Sequence, residues 1–204
     1  PFPAAHEDAL TVYRYLIGPG GFAPGKVAVA GDSAGGAIAL SLMADARDLG
    51  MPQPACGMLN SVWADVAMNT PSLDDARRNR HDVRRELVEY LSRTFLSPGG
   101  IDPRDPRHSP VYRDLAGLNP LLLQAAGNDA CHDDSVRIAA SARAAGVSVT
   151  LTEYPDAEHI WILNGPWRMQ YGPNYPDDVV NWVDCGAESA DAAPAIEEMC
   201  AFVL

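Results

Sequence analysis

A serine between two glycines, set where an apolar strand gives way to a helix, constrains this chain more than any other feature. Gly31-Asp32-Ser33-Ala34-Gly35 fits Gly-x-Ser-x-Gly, a pattern that carries chemistry only in a strand, tight turn, helix context. That context is predicted here. Lys26-Val27-Ala28-Val29-Ala30-Gly31 is a short β-branched run that suits a strand buried on both faces, and Ala34 to about Asp48 reads as a helix closed by Gly50 and Pro52. On such a turn the serine hydroxyl projects from the carboxyl end of the strands, and the flanking glycines let neighbouring backbone pass. The Ala34 N–H opens the helix and can donate to a developing oxyanion. The bland alternative is a Gly-rich turn that binds phosphate or merely packs. A phosphate loop needs a Gly-Lys-Ser/Thr end and a dinucleotide turn needs Gly-x-Gly-x-x-Gly, and neither is present.

A serine hydroxyl is a weak nucleophile, so the motif demands a histidine base and a carboxylate to orient it, in the chain order Ser, Asp, His. His159 follows a predicted strand near the end of the chain, in Asp156-Ala157-Glu158-His159-Ile160-Trp161. His6 precedes the serine, His81 and His108 fall in an arginine-rich stretch, and His132 sits too close to the acid loop. For the acid, Asp129 comes just after the buried-strand candidate Leu121 to Gly127, at the end of the sheet where catalytic groups gather. Asp133 and Asp134 are its rivals, and both are better placed to cap the helix that begins there.

The rest of the chain supplies the frame. Apolar residues from Ala5 to Ile17 recur at helical spacing, Ala55 to Ser61 is a further strand candidate, and Asp134 to Ala145 reads as a helix. Val147, Val149 and Leu151 alternate with polar residues in a period-two strand, and Ile196, Met199, Cys200 and Val203 mark one face of a closing helix. Alternating strands and helices predict an α/β fold with a parallel, helix-covered sheet. The 204 residues suit one domain, with a polar helix-and-loop excursion over 69–110 and an irregular insertion over 164–192. A net charge of −12 argues against nucleic acid or an anionic membrane surface as partner, and no apolar run is long enough to span a bilayer. The four cysteines show no zinc-ligand spacing and suggest reduced thiols in a cytoplasm.

These residues resemble the hormone-sensitive-lipase-like branch of the α/β-hydrolases, which includes bacterial carboxylesterases and acetyl esterases. The resemblance runs over roughly residues 1–163. Its most specific piece is Gly31-Asp32-Ser33-Ala34-Gly35-Gly36. Pro1-Phe2-Pro3-Ala4-Ala5 with Glu7-Asp8-Ala9, Asp102-Pro103-Arg104-Asp105-Pro106 with Ser109-Pro110, and Asp129-Ala130-Cys131-His132-Asp133 support it. It implies Ser33, Asp129 and His159 as nucleophile, acid and base. The chain has no His-Gly-Gly-Gly loop of the kind that completes the oxyanion hole in that branch. Gly18-Pro19-Gly20-Gly21 and Gly99-Gly100 read as turns at helix ends. The expectation is a partial α/β-hydrolase domain, lacking its first strands and N-terminal cap, with the Ser33 strand at a sheet edge. On that expectation the chain alone is a poor catalyst.

The expected chemistry is hydrolysis of carboxylic esters with short to medium acyl chains through an acyl-enzyme, with no metal or organic cofactor. Asp32, Met58, Trp63 and Trp161 are candidate substrate-contacting residues, although the last three also suit a core. A ligand-binding module without turnover, and a hydrolase of amides, lactones or carbamates, are the alternatives. The sequence leaves a homo-oligomer open.

Overall fold

The computed structural model describes the whole chain apart from residues 76, 77, 79–82, 98, 164–166, 171–180, 185–190 and 204. Four parallel strands make one sheet in the order β1 (Ala28–Asp32), β2 (Cys56–Asn60), β3 (Leu121–Asn128), β4 (Val149–Glu158). Helix α1 (Ala4–Ile17) leads into β1, α2 (Ala34–Asp48) joins β1 to β2, and α4 (His132–Ala144) joins β3 to β4. The connections through α2 and α4 are strand-helix-strand units, the arrangement that parallel pairing requires. The excursion between β2 and β3 holds α3 (Arg85–Phe95) and short 3-10 turns at Pro71–Asp74 and Pro110–Tyr112. Within 164–192 two short strands, β5 (Trp167–Gln170) and β6 (Asn181–Asp184), pair antiparallel. Residues 164–166, 171–180 and 185–190 of that insertion lie outside the described residues. Among the described residues no helix is long and apolar enough to cross a membrane.

The main core forms where the sheet meets α2 and α4: Leu121 and Leu123 pack with Leu40 and Met43 of α2 and with Ile138 and Ala142 of α4. Strand β3 is buried along Leu121 to Ala126, as a continuous apolar run inside a parallel sheet must be. Strand β1 departs from the sequence expectation of burial on both faces. Among the described residues its only neighbour is β2, which makes it the sheet edge that the resemblance implied, and Ala28 and Ala30 are exposed. Helix α5 (Ala192–Val203) also departs from it. Its expected apolar face leaves Ile196 and Val203 nearly half exposed. The helix docks instead through buried Ala195 and through Glu198, which accepts from Gln124 Nε2 at 2.7 Å, Tyr154 OH at 3.2 Å and the Thr152 hydroxyl.

Pairing in register aligns Asp32 with Asn60, Asn60 with Gln124 and Gln124 with Thr152, so the strands end on one side of the sheet. Strands β3 and β4 run on together beyond β2, with a register shift between Ala126 and Asn128. There Gly127 faces Pro155 so closely that an added Cβ would lie 2.1 Å from the Pro155 carbonyl oxygen. This contact lets the two strand ends converge, and each delivers a candidate catalytic residue.

The chain start, α3 and the loop before β3 are joined by an aromatic cluster. The Phe2 ring lies 5.2 Å from that of His6 and 4.9 Å from that of His108, with Phe95 beside all three. Burial, opposed by the nearby Asp45, holds the His6 imidazole below its usual pKa of 6.5. Burial likewise lowers His108, against the raising influence of Asp105 and Asp102. Both groups bind a proton less readily folded than unfolded, so the stability they contribute is complete above about pH 6.5 and is lost as pH falls through their folded pKa values. Thermal melts between pH 7.5 and 5 should therefore show Tm falling with acidity. The double variant His6→Leu, His108→Leu should flatten that slope, and an unchanged slope contradicts the assignment.

Candidate active site

The turn after β1 forces Ser33 into φ 55°, ψ −124°, a region that L-residues rarely adopt and that costs about 1–3 kcal/mol. Hydrogen bonds on both sides hold it there. The Ser33 N–H donates to the Asn60 carbonyl at 3.0 Å, extending the ladder with β2. The Ser33 carbonyl accepts from the N–H groups of Gly36 at 3.0 Å and Trp63 at 3.1 Å. Sterics decide which motif glycine the turn needs. A Cβ on Gly31 would sit 2.2 Å from the Gly35 carbonyl oxygen, whereas one on Gly35 would meet nothing within 4 Å.

His159 follows β4 directly, and its ring spans the gap between the ends of three strands. Its Nε2 lies 3.0 Å from Ser33 Oγ and its Nδ1 lies 2.9 Å from Asp129 Oδ1. In the tautomer this network favours, Nδ1–H donates to the carboxylate and Nε2 accepts from the hydroxyl. Asp129 is buried, and its Oδ1 also accepts from the Cys131 N–H at 2.8 Å. The histidine loop is anchored where the Ile160 N–H donates to Ser61 Oγ at 3.0 Å, with both residues at positive φ. Ser33, His159 and Asp129 thus form one hydrogen-bonded line, in the order a base-activated nucleophile requires.

The rivals for the acid do other work. Asp133 Oδ2 accepts from the Ser72 N–H at 2.9 Å, and Asp133 Oδ1 lies 2.9 Å from Nδ1 of His132, whose Nε2 lies 2.8 Å from Glu153. Asp134 reaches away from α4 altogether, accepting from the N–H groups of Ala64 at 2.8 Å and Asp65 at 2.9 Å. Neither caps the helix: its N-cap is Cys131, with no side-chain cap bond. Burial pushes the Asp134 carboxyl up to about 6 despite the opposing hydrogen bond from Thr70. Sequence spacing put Asp134 at a helix start and carried no signal for these partners, which lie some seventy positions away.

The Ala34 N–H begins α2 beside Ser33, at an exposed residue, so it is a donor that the helix does not use. The glycine turns are already engaged locally, Gly20 N–H with Tyr15, Gly21 N–H with Gly18 and Gly99 N–H with Leu96. Asp32 ends β1 half-buried; desolvation raises its pKa and the neighbouring His159 opposes that rise. Trp63 joins Ala34, Val66, Phe95, His6 and His108 around a cavity of about 290 Å³. Met58 is half-buried within β2, where it pairs in register with Ala30 and Leu122. Trp161 is buried in a small core cluster with Ala126, Ala157 and Ala195. That is the core alternative its apolar surface always allowed.

Asp129, Cys131 and His159 bring ligand-type atoms within 4.8 Å of one another, the one such trio among the described residues. Burial first, then the charges of Asp129 and Asp134, push the Cys131 thiol well above its usual pKa, so it stays protonated and binds metal poorly. The imidazole nitrogens already face Asp129 and Ser33.

Residues 1–163 match the family described as alpha/beta hydrolase fold. An acetyl-hydrolase of Streptomyces hygroscopicus is 41% identical over 167 residues, which are 79% of this chain and 53% of that protein. The carboxylic ester hydrolase LipN of Mycobacterium tuberculosis is 34% identical over 160 residues, 74% of this chain and 42% of its own length. A crystal structure of an esterase from the bacterial hormone-sensitive lipase family superposes with a TM-score of 0.82 at 31% identity, covering 100% of this chain and 60% of that one. A crystal structure of EstE5 soaked with p-nitrophenyl butyrate gives a TM-score of 0.81 at 31% identity with the same coverage. The chain spans about half the length of the curated relatives it matches.

The two motif glycines give an asymmetric test. Gly31→Ala should destabilise the fold by about 1–3 kcal/mol, since backbone must move to admit the methyl group. Gly35→Ala, inside α2, should be neutral or slightly stabilising. Thermal melts of both variants check this; equal losses contradict the steric assignment.

Proposed function

As the chain belongs to the α/β-hydrolase fold family, in its hormone-sensitive-lipase-like branch, we propose that it carries the catalytic residues of a serine hydrolase of carboxylic esters. The observation that carries this reading is the unbroken line from Ser33 Oγ through His159 to Asp129, with contacts of 3.0 and 2.9 Å.

In the first step Ser33 Oγ attacks the ester carbonyl carbon while His159 Nε2 takes the hydroxyl proton. Asp129 remains ionised, fixes the tautomer and stabilises the imidazolium. The tetrahedral oxyanion accepts a hydrogen bond from the Ala34 N–H, the donor that this turn aims beside the nucleophile. Collapse breaks the bond to the alkoxy group, which leaves as the alcohol with the proton from His159, and an acyl-Ser33 ester remains. Water, deprotonated by the same nitrogen, then attacks the acyl carbon; the bond to Ser33 Oγ breaks, Oγ takes the proton back from His159, and the carboxylic acid leaves. The cycle balances without a metal or organic cofactor.

The names of the relatives support an ester substrate, and the soak of EstE5 with p-nitrophenyl butyrate supports a short acyl chain. The cavity that begins at Ala34 and Trp63 suits such a chain, because its other walls include Ala37, Ile38, Val66, Leu91 and Phe95.

Release of p-nitrophenol from its acetate and butyrate esters tests the reading. Ser33→Ala should remove the activity above background, and Asp129→Asn should lower it by about 10⁴-fold through loss of the working tautomer. Loss of one oxyanion donor costs about a hundred- to a thousandfold, so labelling by a fluorophosphonate probe is the more sensitive readout. Ser33→Ala labelled as fast as the unmodified chain excludes Ser33 as nucleophile.

A further inference from the structure

We propose that Asp134 is a positioning residue for the nucleophile: its buried carboxylate holds the 61–70 loop so that the Trp63 N–H stays on the Ser33 carbonyl and fixes the Ser33 backbone. The inference rests on the reading of Ser33 as nucleophile, and it adds a residue that touches neither the substrate nor the triad.

Three successive backbone donors carry it. The Trp63 N–H bonds the Ser33 carbonyl at 3.1 Å, and the next two, of Ala64 and Asp65, both bond Asp134 Oδ2, at 2.8 and 2.9 Å. At the far end of the loop the Thr70 hydroxyl bonds Asp134 Oδ1 at 2.5 Å. One carboxylate therefore ties the middle of the loop to its far end. Asp134 is fully buried, so each of these donors offsets a desolvation cost that an idle carboxylate would not meet. Arg137 adds charge compensation, 3.4 Å from Asp134 and 2.8 Å from the equally buried Asp65, whose carboxylate also takes the Tyr112 hydroxyl at 2.8 Å.

The start of this loop touches the site twice. Ser61 receives the Ile160 N–H next to His159, and the Trp63 N–H meets the elbow. Ser33 adopts its costly φ only while the surroundings over-determine it. Removing the Asp134 acceptor leaves the amides of Ala64 and Asp65 buried and unpaired. The loop must then shift to hydrate them, and Trp63 moves with it. An asparagine at this position keeps an acceptor for the two amides and the same shape, so geometry, unlike charge, survives that change.

The test compares Asp134→Ala, Asp134→Asn and Thr70→Val in the 204-residue chain, at a temperature where melts show each folded. Two readouts are taken: the rate of fluorophosphonate labelling at Ser33, and amide hydrogen exchange in segments 28–38 and 61–70. Asp134→Ala should slow labelling by about ten- to a hundredfold, the scale of a small misplacement of a reacting group, and speed exchange in both segments. Asp134→Asn should recover labelling to within a few-fold. Thr70→Val should fall between them, and decides the case with Asp134→Asn if the alanine variant does not fold. Labelling of Asp134→Ala at the unmodified rate overturns the proposal, as does Asp134→Asn labelling as slowly as the alanine variant. Faster exchange confined to 61–70 also overturns it, since the elbow would then be independent of the loop. If the unmodified chain is not labelled at all, the nucleophile reading fails separately, and exchange in 28–38 alone decides whether Asp134 holds the elbow.

Discussion

The backbone of Ser33 is held where it would not rest by itself, and much of the site follows from that. A φ of 55° on a residue with a Cβ is sustained only if neighbours on every side insist on it. Here β2 takes its N–H, α2 and the 61–70 loop take its carbonyl, and Gly31 leaves out a Cβ that would collide with the returning chain. The strained turn separates the hydroxyl from its own strand and presents it to a histidine arriving from the opposite edge of the sheet. It also starts α2 immediately, so the first helical N–H lies beside the hydroxyl. Ser33 and the proposed oxyanion donor are thus one local structure, whereas His159 and Asp129 come from elsewhere.

What brings them is the way β3 and β4 outrun β1 and β2. The two strands extend as a pair and converge where Gly127 touches Pro155, so Asp129 and His159 emerge within hydrogen-bonding distance of each other. The same region concentrates carboxylates, and burial sorts them by task. Asp129 keeps an imidazole partner, Asp133 takes the Ser72 amide, and Asp134 goes inward to backbone amides. Three acids within a few residues thereby acquire three roles through the direction each side chain takes from a single turn. Polar docking is not confined to the site: α5 is tied to the sheet by Glu198, not by the apolar stripe its sequence displays.

Much of this was legible from spacing. The strand-turn-helix around Ser33 could be read because the period of apolar residues changes there from that of a buried strand to that of a helix. The boundaries of α2 and β2 fell within a residue of expectation, since Gly50 and Pro52 leave little choice about where α2 stops. His159 was singled out by elimination and chain order, and Asp129 by its place after a buried strand; the geometry then brought both to Ser33. The pocket was less legible. Trp63 lies beside Ala34 while Trp161 is sealed in a core cluster, yet nothing in their local sequences separates a wall from a core.

The sequence by itself determined the local chemistry: a serine on a strained turn, a helix opening behind it, an acid and a histidine after later strands, and an α/β order that can only fold as a parallel sheet. These follow from short-range sterics and periodicity, which a chain expresses without knowing its neighbours. Tertiary structure decided everything that depends on which residues meet across the sheet. It turned Asp134 from an expected helix cap into the anchor of a loop some seventy residues upstream, and docked α5 through a carboxylate. The physical reason is that a buried polar group must find a partner wherever the fold supplies one, and the partner's position in the chain is set by topology, not by local pattern.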